Sequence, residues 1–180
     1  MVPKFSFLTK GKGVSKEKLT SFEMALRDAG IAEFNLVKVS SIMPPFCKII
    51  SKKEGLKKLS PGQIVYVVLS ESATNEHGRK VAASVGIAMP ADRSQHGYLS
   101  EHHSFGQSKK EAGEYAEDLA AYMLATTLGA PFDADKNYNE QKDIWKIRGH
   151  TVKTRELTSF GEGPKDGNWI TVLSAMVLII

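Results

Sequence analysis

The sequence predicts an α+β fold, and three observations carry that prediction. Two stretches place apolar residues at helical spacing, around Leu19–Ala29 and around Ala112–Leu128. Short runs of branched residues arrive in groups before, between and after them, rather than in strict βαβ alternation. A chain of 180 residues, 42% apolar and 24% charged, is long enough to bury a core in one domain without disulfides or metal staples.

The elements follow in order. Phe5-Ser6-Phe7-Leu8 alternates as a strand does, with Gly11-Lys12-Gly13 as the turn that ends it. Ser15 is the expected cap of a helix whose stripe is Lys18, Leu19, Phe22, Leu26 and Ala29, with Gly30 as the stop. Phe34 to Val39 reads as a second strand, closed by Ser40-Ser41-Ile42-Met43-Pro44-Pro45. The run from Lys48 to Lys58 carries five lysines and reads as a solvated surface segment.

Ile64 to Leu69 has the branched composition of a buried strand, and Val81 to Met89 is another, ended by Pro90. Gly97 to Phe105 is its expected partner. Ser108 opens the second helix, with Ala112, Tyr115, Ala116, Leu119, Ala120, Met123, Leu124 and Leu128 as its apolar stripe. Gly129 and Pro131 stop it. Tyr138 to Ile147 is read as a short helix, Gly161 to Gly167 as a loop, and Trp169 to Ile179 as the last strand.

Composition and motifs exclude several classes. Lys and Arg number 24 against 20 Asp and Glu, an excess too thin and too scattered for nucleic-acid binding. The single cysteine, Cys47, excludes an internal disulfide framework and fits a reducing compartment. The first residues lack the apolar stretch of a secretory leader. The longest apolar run, Met176 to Ile180, is far short of the roughly 20 residues a spanning helix needs, so a cytoplasmic protein without membrane contact is expected. Phosphate-loop, dinucleotide, nucleophile-elbow and zincin motifs are all absent.

Three groups of residues remain as candidates. Glu101-His102-His103, with His77 and His96 upstream, has metal-ligand types. Adjacent strand residues point to opposite faces, however, so Glu101 and His103 share one face and His102 does not. A single functional carboxylate with no metal is the simpler reading. Glu23 lies at the edge of the first helix's stripe, where a carboxylate suits a guanidinium that offers two parallel hydrogen bonds. A half-exposed surface glutamate accounts for the same spacing. Finally, Asn35 to Pro45 is a strand running into a Ser-Ser turn and a rigid di-proline, with Pro44 biasing Met43 towards extended backbone.

The run from Asn35 to Pro45 resembles the self-processing segment of the pyruvoyl-dependent arginine decarboxylases. The resemblance extends through Phe7-Leu8-Thr9-Lys10-Gly11, Ala29-Gly30-Ile31, Gly97 to Gly106 and Glu114 to Ala120, nearly the whole chain. It implies a four-layer αββα sandwich, a single domain over 1–180 that cuts itself between Ser40 and Ser41. The products are a β chain of 1–40 and an α chain of 41–180, assembled as a trimer of αβ protomers with active sites between neighbours.

The resemblance also implies a covalent pyruvoyl group made from Ser41, which forms a Schiff base with L-arginine and releases carbon dioxide and agmatine. Glu101 is then the acid that protonates the α-carbon, with its pKa raised by burial. Asn35 orients the reacting end, Ser40 stays beside the site as a new C-terminus, and Glu23 takes the guanidinium. Leu19, Leu26, Phe34 and Ile42 line the aliphatic stem. The alternatives are a pyruvoyl enzyme for another amino acid, an unprocessed non-catalytic homologue, and a metal-dependent hydrolase built on Glu101 and the histidines.

Overall fold

A computed structural model describes residues 1–129, 144–147 and 150–180. The described residues form two five-stranded sheets and three helices. The first sheet has the order β2-β5-β10-β1-β4, built from Asn35–Lys38, Ile64–Thr74, Trp169–Ile179, Phe5–Ser15 and Lys48–Ile49. The second has the order β3-β7-β6-β9-β8, from Ile42–Met43, Gly97–Phe105, Lys80–Pro90, His150–Glu162 and Ile144–Ile147.

Helix α1 (Lys18–Ala29) packs on β1 and β10 of the first sheet, and α3 (Lys109–Thr127) on β6, β7 and β9 of the second. The two sheets also touch each other through β5, β10 and β1 on one side and β6, β7 and β9 on the other. The core divides accordingly. Phe7, Leu26, Ile31, Phe34, Val65 and Val67 are among the residues filling the space under α1. Met43, Val68, Val85, Ile87, Leu99 and Met176 lie between the sheets. Alternation explains the split, because Val67 and Val68 are neighbours on β5 yet belong to different clusters.

Under α3 the packing is almost all alanine: Ala88, Ala120, Ala121 and Ala125 with Leu124 and Val152. Small side chains let the helix approach the sheet closely. The Ser100 hydroxyl donates to the Ala116 carbonyl across that contact. Gly86 sits there as well, where a Cβ would collide with the Ala116 carbonyl.

Several expectations need correction. Gly11 and Gly13 do not end the first strand, since β1 continues to Ser15 in antiparallel register with β10. They are close-approach positions, because a Cβ on Gly11 would meet the Ala25 carbonyl oxygen and one on Gly13 that of Ser21. Ser15 belongs to this strand and is not the helix cap. Glu17 holds that position without a side-chain bond, while Gly30 ends α1 in the left-handed conformation as expected, at φ 71°.

Ile144–Ile147 forms strand β8 against β9 instead of helix, and 138–143, like Pro131, lie outside the described residues. Strand β9 is absent from the sequence reading altogether. Its α3-facing side includes Thr154 and Thr158 alongside Val152, so its hydrophobic alternation is weak. Thr158 shares a hydrogen bond with Ser84 instead. Gly161 and Glu162 are the end of this strand, so the loop is shorter than expected. The basic run contains a short helix, α2 (Lys52–Leu56), capped by a reciprocal Ser51–Glu54 box.

Candidate active site

Strand β2 lies at an edge of the first sheet and β3 at an edge of the second. The chain therefore changes sheets between them, at Val39-Ser40-Ser41. Val39 still bonds to the first sheet, its N–H donating to the Val67 carbonyl at 3.0 Å. Ser41 already belongs to the second, its carbonyl accepting from the Leu99 N–H at 2.8 Å. The Ser40–Ser41 peptide is thus held at both ends by different sheets.

Within the crossover the Ile42 N–H donates to the Ser40 carbonyl at 3.0 Å, closing a three-residue turn around Ser41. The Ser41 hydroxyl donates to Oε2 of Glu101 at 3.2 Å. Glu101 reaches it because Leu99, Glu101, His103 and Phe105 alternate onto the face of β7 turned towards the first sheet, where Leu99 enters the core. One site thus combines a hydroxyl on a Cβ, a carbonyl with a backbone donor, and a carboxylate. That set places a hydroxyl beside its own preceding carbonyl and a carboxylate within reach of that hydroxyl for proton transfer. An apolar cavity of about 540 Å³ adjoins it, lined by Ser40, Ile42, Pro44, Pro45, Tyr66 and Leu178 among others.

His102 points the other way, as the alternation requires. Its Nε2 bonds Gln107 at 2.8 Å and its ring packs on Tyr115 of α3. His96 packs edge-on against Tyr98. No group of three or more metal-ligating side chains occurs among the described residues.

The expected site residues fall into two sets. Ser40, Ser41, Ile42 and Glu101 are together. Leu26 and Phe34 are buried in the core under α1. Leu19, 80% exposed, reaches a separate cleft with Phe22, His103 and Phe105. Asn35 starts β2 opposite Ile64 and donates to the Gly62 carbonyl at 2.7 Å. At about 3.3 Å per strand residue it lies roughly 13 Å of strand before Val39. Glu23 is 40% exposed and bonded to Arg27. Glu101 is exposed as well, so the burial expected around it is not found in this chain.

The donor roles of Leu99 and Ile42 escaped the sequence reading, which placed Ile42 only along the aliphatic stem, because both act through backbone N–H groups, which carry no residue signature. Arg27 was legible in principle, since a basic residue four positions after Glu23 is a standard helix pair.

A serine held on a sheet crossover in contact with a carboxylate marks an α+β protein with a candidate catalytic serine. The comparisons narrow the class. The family model described as pyruvoyl-dependent arginine decarboxylase matches residues 5–180. A pyruvoyl-dependent arginine decarboxylase of Nitrosopumilus maritimus is 54% identical over 180 residues, covering 100% of this chain and 98% of that protein. One from Methanococcoides burtonii is 54% identical over 180 residues and covers both chains fully. A probable pyruvoyl-dependent arginine decarboxylase of Chloroherpeton thalassium is 55% identical over 178 residues, covering 99% of this chain and 98% of that protein. The chain belongs to the pyruvoyl-dependent arginine decarboxylase family. It is a decarboxylating carbon–carbon lyase that depends on a covalently bound pyruvoyl group.

Proposed function

We propose that the protein decarboxylates L-arginine to agmatine, with the pyruvoyl group made from Ser41 by cleavage of the Ser40–Ser41 bond. The contact that carries this reading is Ser41 Oγ to Glu101 Oε2, at 3.2 Å beside a carbonyl that already accepts a hydrogen bond. Ser41 Oγ attacks the Ser40 carbonyl, the C–N bond breaks, and the amide becomes an ester. The Ile42 N–H, already on that carbonyl oxygen, stabilises charge as it develops there. Loss of the Ser41 α-proton and departure of the 1–40 chain as a carboxylate leave dehydroalanine. Water then replaces the nitrogen, releasing ammonia and leaving the keto group.

The mature group supplies a carbonyl that captures the substrate's α-amine and draws in electrons as carbon dioxide leaves. The Leu99 N–H holds the carbonyl next to it. Glu101 delivers the proton to the α-carbon. Glu23 takes the guanidinium in a charge-assisted contact, Asn35 orients the reacting end, and Leu19, Leu26, Phe34 and Ile42 border the aliphatic stem.

The separation of Asn35 from the Ser41–Glu101 pair, and the exposure of Glu101 and Ile42, favour a site completed by a neighbouring chain. The proposed assembly is a trimer of αβ protomers, each a single αββα four-layer domain cut into 1–40 and 41–180. No helix among the described residues is long and apolar enough to cross a membrane, and a cytoplasmic location is part of the proposal.

The test is the denatured mass of purified protein together with arginine-dependent release of carbon dioxide. Two chains breaking after Ser40, the larger with a pyruvoyl group at its N-terminus, and agmatine as product, are the expected result. A single intact chain after long incubation, without turnover, overturns it in favour of a non-catalytic homologue. Cleavage with turnover of another amino acid alone overturns only the substrate.

A further inference from the structure

A second cleft, of about 960 Å³, opens where β4 and β9 face each other at the edge of the molecule opposite β2 and β3. Four cationic side chains line it: Lys48, Arg93, Lys153 and Arg155. No carboxylate lines it among the described residues, and none of the four cations pairs with one there. Lys153 and Arg155 alternate along β9 opposite Met89 and Ile87 of β6. Their side chains therefore leave the strand on the side facing the first sheet.

Arg93 is fixed in place. Its Nη2 donates to the Cys47 carbonyl at 2.6 Å and its Nη1 meets the Met89 sulfur at 2.9 Å. Four like charges converging in one concave site repel one another and focus a positive potential. An anion relieves that repulsion, and guanidinium and ammonium groups together suit phosphate.

The cleft also has an aromatic wall. Phe46 is 67% exposed and has φ 56°, the left-handed region that a bulky residue seldom enters. It is held there from both sides, by its own N–H on the Arg93 carbonyl at 3.0 Å and by a turn in which the Cys47 N–H meets the Pro44 carbonyl at 3.2 Å. A strained residue kept by its surroundings marks a place where a side chain is aimed. Here an aromatic face is presented beside a cluster of cations.

We propose that this cleft binds a nucleotide-sized ligand, its phosphates on Lys48, Arg93, Lys153 and Arg155 and its base against Phe46. The volume lies within the range of small-molecule sites, and bases of every kind stack on aromatic rings. The site is separate from the Ser41 edge and does not depend on the decarboxylase reading.

Calorimetric titration of the assembled protein at low ionic strength, with ATP and with inorganic pyrophosphate as probes, tests the proposal. Saturable binding of one ATP per chain is expected, with pyrophosphate at least fivefold weaker. The double variant Lys153→Glu/Arg155→Glu, exposed on a strand surface, should weaken both probes at least tenfold; Lys153→Ala/Arg155→Ala repeats the test without added charge. Phe46→Asn, which tolerates the left-handed backbone, should remove the advantage of ATP over pyrophosphate. No saturable binding of either probe, or binding unaffected in both double variants, overturns the site. Equal affinity for the two probes in the unaltered protein overturns the nucleotide assignment.

Discussion

Nε of Arg27 lies 3.0 Å from Oε1 of Glu23, one turn earlier on α1. The carboxylate proposed to receive the substrate's guanidinium is therefore already occupied by a guanidinium of its own helix. The pair is 71% and 40% exposed, so its own worth is small, about 0.3–0.5 kcal/mol. Substrate has to displace it. Arg27→Ala should lower the arginine KM about twofold with kcat unchanged, measured by steady-state carbon dioxide release. A raised KM would show instead that Arg27 orients the carboxylate for substrate.

Glu23→Gln removes the charge from the same contact. Half-exposure limits the loss to about 1.5 kcal/mol, roughly tenfold in KM, with cleavage intact. An unchanged KM returns Glu23 to an ordinary surface role.

Ser41→Ala has no hydroxyl to attack the Ser40 carbonyl and no leaving group on Cβ. A single uncleaved chain without activity is expected on denatured mass analysis, and a cleaved, active variant removes Ser41 from the chemistry. Glu101→Gln should still cleave but stall turnover, because an amide has no proton to give to the α-carbon. Near-normal kcat would exclude Glu101 from that step.

Gly11→Ala tests the approach of α1 to β1. The new Cβ meets the Ala25 carbonyl, a backbone atom that cannot swing away. Overpacking of this kind costs about 1–3 kcal/mol, read as a lower urea midpoint. An unchanged midpoint would mean that α1 can shift outward without loss.

Acid stability should report the helix cap of α3. Backbone and side-chain bonds from Ser108 hold the Glu111 carboxyl below its ordinary value of 4.5. A carboxylate with a lowered folded pKa binds fewer protons folded than unfolded. Its contribution is present above pH 4.5 and is lost as pH falls through the lower folded value. Glu111→Gln should therefore lower Tm slightly above about pH 5, leave it nearly unchanged below the folded value, and so flatten the fall of Tm across that acid window. An unaltered acid slope would rule out a contribution from this cap.

Much of the fold was legible locally. The bounds of β7 and β10 follow from apolar and aromatic residues beside Gly97, Gly106 and Gly167, and α3 from Ser108 and the broad apolar stripe from Ala112 to Leu128. Gly30 carries its own conformational signal. In contrast, Gly11 and Gly13 read as a turn because a missing side chain looks the same whether the chain bends or another backbone presses on it. Strand β9 was missed because buried Thr154 and Thr158 interrupt its apolar pattern, and periodicity does not detect a hydrogen bond such as that of Thr158 to Ser84 on β6.

The candidate site divides in the same way. The sequence alone determined which chemistry is available: a Ser-Ser pair before a di-proline, a strand carboxylate at Glu101, and blocks in an order that marks one family. Tertiary structure decided that Ser41 leaves one sheet to join the other, that Glu101, sixty residues later, meets its hydroxyl, and that Asn35 stays at the far end of β2. It also gathered Lys48 and Arg93 with Lys153 and Arg155, of which only the last two are connected by spacing, into one cleft. The physical reason is that residue type and periodicity are local properties of the chain. Which strand edges meet is settled by burying both faces of two sheets at once.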